Sequence, residues 1–132
     1  MRFELRQISG SASEVAIRDH QIRIDRPADK GGEDRGPMGG ELFLAAIGGC
    51  FMSTLLAAIR ARDAAISGVR TSVIGTIDGT PARFRAIELL VSAACDGRDL
   101  LDSLLTIAER GCIMVNTLRG SLELSVRVGS PD

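Results

Sequence analysis

Leu42-Phe43-Leu44-Ala45-Ala46-Ile47-Gly48-Gly49-Cys50-Phe51-Met52-Ser53-Thr54-Leu55-Leu56-Ala57-Ala58-Ile59 is a run of eighteen residues without a charge, set between Glu41 and Arg60. It is long enough for a membrane span. It lies in mid-chain, however, between two sets of amphipathic strand patterns, and paired glycines and several small residues dilute it. A helix apolar on every face in a chain of 132 residues is then read as the buried central helix of one soluble domain spanning 1–132, with no membrane partner. Such a helix needs cover on all sides. Three short strands and a hairpin from one chain do not readily supply it, which predicts a homo-oligomer.

Upstream, Arg2 to Ile8, Glu14 to Arg18 and Gln21 to Asp25 alternate as three short strands, with Asp19-His20 as the turn between the last two. Arg26 to Gly40 is rich in Gly, Pro, Asp and Lys, a composition that predicts an irregular loop. Downstream, Val69 to Ile77 and Arg83 to Cys95 flank Asp78-Gly79-Thr80-Pro81, a hairpin signal. Asp99 is placed to cap a helix striped by Leu100, Leu101, Leu104, Leu105, Ile107 and Ala108, which Gly111 stops. Cys112 to Leu118 reads as a second short helix, and Leu122, Leu124, Val126 and Val128 alternate as a last strand. The order βββ, α, ββ, α(α), β predicts an α+β domain with mainly antiparallel sheets around the long helix.

Composition narrows the chemistry. Sixteen basic against seventeen acidic residues leave a net charge of −1 with no basic run, which speaks against nucleic acid as a partner. One histidine, His20, is too little imidazole for a Ser-His-Asp triad or a His-rich metal site, so no metal is expected; His20 itself reads as a solvated turn residue. No phosphate loop or dinucleotide fingerprint occurs, and no bound cofactor is expected. Three cysteines, an odd number behind an amino terminus without a signal-peptide pattern, point to the reducing cytoplasm.

Those cysteines are the candidate chemistry. Cys50 follows Gly48 and Gly49, so the backbone beside its sulfur is bare and open to a substrate or a second element; alternatively it fills the core as a small hydrophobe. Cys112 would open a helix after Gly111, where free amides lower a thiol's pKa. Cys95 ends an apolar strand and reads as core filling. Sixty-two positions separate Cys50 from Cys112, so only the fold can join them.

Gly36-Pro37, Glu41-Leu42, Ala45-Ala46-Ile47-Gly48-Gly49-Cys50 and Ala108-Glu109-Arg110-Gly111-Cys112-Ile113-Met114-Val115-Asn116-Thr117-Leu118 resemble the two signature segments of the OsmC/Ohr family. Asp25-Arg26-Pro27 with Gly31-Gly32 is similar to the loop before the first of them. The resemblance implies an intertwined homodimer with active sites at the subunit interface and thiol-dependent reduction of organic hydroperoxides. By the same analogy Cys50 is the peroxidatic thiol, Cys112 resolves it, and an external dithiol such as dihydrolipoamide resets the pair. Ohr-type members carry an active-site Glu where Gly40 stands here; Glu41, its neighbour, is the acidic candidate, and Arg26 and Arg35 are candidates by location for the activating Arg. The match is therefore closer to the OsmC-like branch than to Ohr. A non-catalytic or redox-sensing OsmC-like module that binds a small ligand in the same pocket is the alternative.

Overall fold

The computed structural model describes residues 1–131 and gathers them into two compact units, Met1–Phe43 and the remainder from Leu44. The α+β order expected from the sequence is observed.

In the first unit, β1 (Leu5–Gln7), β2 (Ser13–Ile17) and β3 (His20–Ile24) form an antiparallel meander. Register is marked by charge as well as by burial. Glu14 lies opposite both Arg6 and Arg23, and its carboxylate accepts from their guanidinium groups at 2.8 and 3.2 Å. Arg6 first, then Arg23, hold the Glu14 carboxyl below the ordinary Glu range. The β2–β3 turn is Arg18-Asp19, one residue earlier than expected. Arg18 adopts φ +55°, the positive value that two-residue hairpin turns require, so His20 is an exposed strand residue opposite Ile17.

The segment 26–40 is more ordered than its composition suggested. A single turn of 3-10 helix covers Ala28–Lys30. Asp25, almost fully buried, organises the loop by accepting the backbone N–H groups of Arg26, Glu33 and Arg35 at 2.7, 3.2 and 3.1 Å. Burial pushes its carboxyl up, but the Arg35 amide, the Ser11 side chain and the Arg26 and Glu33 amides together outweigh this, and the net shift is downward.

The long helix α1 (Gly39–Ala61) begins two residues before Glu41, because the Glu41 carboxylate reaches back to the Met38 N–H at 2.9 Å and caps the first turn. From Leu44 it belongs to the second unit, with β4 (Ile66–Asp78), β5 (Arg83–Cys95), α2 (Arg98–Gly111), α3 (Ile113–Leu118) and β6 (Glu123–Val128). β4 and β5 form the expected hairpin, and β6 adds parallel to β5, giving the order β4-β5-β6. Ile87, Leu89 and Val91 on β5 are buried together with Ile47, Phe51 and Leu55 of α1 and Leu101, Leu104, Leu105 and Ala108 of α2. α1 lies so close to β4 that a methyl group at Gly48 would stand 2.6 Å from Val73 Cγ2. α2 starts after Gly97, not after a capping Asp99, and the Asp99 side chain makes no cap bond.

The expected all-round burial of α1 is not found within one chain. Ile47, Gly48, Phe51, Leu55 and Ala58 form one covered stripe, whereas Ala46, Gly49, Ser53 and Ala57 are exposed. By length and composition α1 could cross a membrane, and 33% of its most apolar window is buried.

Candidate functional site

Cys112 occupies the corner between two helices. Its extended backbone, φ −85° and ψ 114°, ends α2, while its carbonyl accepts the Asn116 N–H at 3.0 Å and starts α3. Asn116 also donates its side-chain amide to the Arg110 carbonyl at 3.0 Å, satisfying one of the acceptors left over at the end of α2. α2 runs through Gly111, which has no positive φ, and it is the extended Cys112 that ends the helix; the corner turns the Cys112 side chain into the interior, where it is fully buried.

The sulfur it meets is that of Cys50. The Cys112 thiol points at Cys50 Sγ at 3.5 Å, so the fold makes neighbours of two residues 62 positions apart. Both are free thiols, and Cys50 is the more exposed of the two. One helical turn beyond Cys50, Thr54 donates its hydroxyl to the Cys50 carbonyl at 3.1 Å. The methyl of the same Thr54 faces Gly111, where a Cβ would stand 3.0 Å away. Of the two glycines before Cys50, Gly48 is taken up by the packing on Val73, and only Gly49 faces open space.

The expected lowering of the Cys112 pKa is reversed. Burial pushes this thiol up from its ordinary value of 9.0, and the neighbouring Cys50 sulfur adds to the rise. The amides of Val115 and Met114, at the start of α3, pull the other way and lose. A six-residue helix offers few aligned peptides, and a fully buried sulfur gives up all its hydration. Cys112 therefore holds its proton at neutral pH and presents it to Cys50.

The remaining candidates are Glu41, Arg26, Arg35 and Cys95. Glu41 belongs to the first unit and Cys50 to the second. Within one chain Glu41 serves as a helix cap. Arg26 and Arg35 use their amides to bind Asp25, and among the described residues neither guanidinium is ion-paired; Arg26 lines a cleft of about 380 Å³ in the first unit with Asp25, Lys30 and Gly40. Cys95 is half-buried at the end of β5, not core filling, with its thiol 3.5 Å from the Gly97 carbonyl. Among the described residues no three His, Cys, Asp or Glu side chains gather where they could hold a metal ion. Thr54 and Asn116 were not singled out from the sequence. The available signal was their offset of four residues from a cysteine, the spacing at which a side chain or amide meets the carbonyl one turn back.

A family described as OsmC-like protein matches residues 31–127. No curated protein matches the chain in sequence. Among solved structures, an OsmC-like protein from Mycoplasma pneumoniae is 19% identical with a TM-score of 0.84, covering 97% of this chain and 94% of that one. An organic hydroperoxide resistance protein OsmC from Legionella pneumophila is 19% identical with a TM-score of 0.76 over 98% of both chains. An organic hydroperoxide resistance protein from Elizabethkingia anophelis, crystallised with thiocyanate, is 18% identical with a TM-score of 0.76, covering 98% and 96%. At these identities the likeness is one of fold.

Proposed function

The chain belongs to the OsmC-like protein family, and from that premise we propose that Cys50 and Cys112 reduce organic hydroperoxides in a dithiol–disulfide cycle. The observation that carries the reading is the 3.5 Å approach of their sulfurs. A peroxide is split by a thiolate, and the sulfenic acid so formed needs a second thiol within reach.

Each step balances. The Cys50 sulfur attacks one peroxide oxygen, the O–O bond breaks, the alcohol leaves with a proton, and Cys50 becomes a sulfenic acid. Cys112 passes its proton to the sulfenic oxygen as its sulfur attacks that of Cys50; the S–O bond breaks, water leaves, and a Cys50–Cys112 disulfide forms. Moving from 3.5 Å to a bonded length near 2.05 Å asks for a shift of about 1.5 Å. An external dithiol, dihydrolipoamide in our reading, then gives up two hydrogens by exchange and is itself oxidised to a disulfide. The division of roles follows exposure: Cys50 is open to a reagent, and buried Cys112 is the reserve thiol.

In this reading the working form is a cytoplasmic homodimer, with a second copy covering the apolar α1 face left open in one chain. The test is direct. Reduced protein is treated with one equivalent of cumene hydroperoxide, free thiols are blocked, and the product is weighed. A loss of two hydrogens mapped to Cys50 and Cys112 is expected; unchanged thiols would leave a binding module and no peroxidase.

A further inference from the structure

We infer that Gly111 and Thr54 form the spacer that sets the distance between the two sulfurs, making them positioning residues for the pair. Gly111 ends α2 without a positive φ, so its backbone would accept any L residue, and alanine is the better helix former. The lack of a side chain is explained instead by the neighbour: a methyl at 111 would meet Thr54 Cγ2 at 3.0 Å, tighter than ordinary van der Waals contact.

Both partners in that contact are tied to a sulfur. Gly111 immediately precedes Cys112. Thr54 donates to the carbonyl of Cys50, which fixes its hydroxyl and points its methyl at Gly111. Widening the contact from either side moves the Cys112 corner away from α1, and a thiol pair already short of bonding distance by about 1.5 Å has little tolerance for more.

The inference deepens the reading of Cys50 and Cys112 as a working pair, yet its test needs no peroxide. Reduced protein is equilibrated with oxidised and reduced glutathione: the protein gives up two thiol hydrogens and two electrons, one glutathione disulfide takes them up, and two glutathione thiols appear. Gly111→Ala is expected to lower the equilibrium constant for closing the Cys50–Cys112 bond by about tenfold, or about 30 mV for a two-electron couple. Thr54→Ile, which adds bulk from the other side while Gly111 stays, is expected to do the same and decides the matter should Gly111→Ala not fold. Gly111→Ala combined with Thr54→Ser, which keeps the hydroxyl and removes the methyl, is expected to return the constant to within about twofold of wild type.

Folded single variants that close as readily as wild type overturn the spacer, as does a double variant that fails to recover. A wild-type pair that glutathione cannot close at all overturns both the spacer and the paired thiols. Normal closure without peroxide turnover leaves the spacer standing and removes only the peroxidase.

Discussion

At the scale of single residues, the two thiols differ in what surrounds them, and their variants should fail differently. Cys50→Ser is expected to abolish hydroperoxide turnover, because it removes the more exposed thiol of the pair. Cys112→Ser is expected to leave one reaction per site and a trapped sulfenic acid, read by mass spectrometry after labelling with a dimedone-type reagent. Multiple turnover by either variant would remove that cysteine from its role. The raised Cys112 pKa carries a stability consequence of definite sign. The folded protein favours the protonated thiol, so this contribution is complete below the ordinary value of 9.0 and is lost as pH climbs through the raised one. Urea midpoints of the reduced protein should hold up to about pH 9 and fall above it, and Cys112→Ser should flatten that part of the slope. The two cysteines were legible in the sequence as candidates, but the direction of this shift was not. A helix start is visible in local sequence, whereas the burial that outweighs it depends on residues far along the chain.

At the scale of elements, each boundary reports a local contest. β5 runs over the residues its apolar pattern marked, Arg83–Cys95, since the buried centre at Ile87, Leu89, Leu90 and Val91 leaves it little freedom to slip. The start of α1 was missed by two residues because the pattern shows Glu41 as a charge and conceals its bond back to Met38. Glu41→Ala should therefore cost about 0.5–1 kcal/mol in denaturant unfolding. Gly48→Ala should cost more, about 1–3 kcal/mol, since its methyl must displace Val73, and Val73→Ala in the same chain should recover part of the loss. In the β1–β2–β3 sheet the sign of pH dependence is the reverse of that for Cys112. Glu14 is held as a carboxylate by Arg6 and Arg23, so its contribution is present above its ordinary value of 4.5 and is lost on acidification. Glu14→Gln should lessen the acid sensitivity of this sheet, followed by hydrogen exchange of its amides.

At the scale of the whole molecule, the order of elements could be read from periodicity and turn residues alone, because each depends on neighbours within a few positions. The parallel seat of β6 beside β5 and the meeting of Cys50 with Cys112 could not be, since no local pattern encodes which distant segment arrives. α1 shows the same limit. Its sequence says only that the helix shuns water; one chain covers a single stripe and leaves Ala46, Gly49, Ser53 and Ala57 exposed, with Leu56 on the same helix at 43% and Ile113, next to Cys112, at 74% exposure. With a second copy as cover, light scattering should give twice the 14.0 kDa chain mass, and Ala57→Arg should shift the protein toward the single-chain mass. A monodisperse wild-type monomer would contradict the homodimer.

The corner at Cys112 has one more consequence. The same residue is the final link of one rod and the first link of another, with Asn116 strapping the second rod to the first through the Arg110 carbonyl. A tug on that sulfur is a torque on both rods, so drawing it toward a bond must twist the joint and loosen or tighten the strap. The backbone there would act as a gauge of oxidation state, legible in the amide resonance of Asn116, whose N–H the Cys112 carbonyl accepts, without any probe on the sulfur itself.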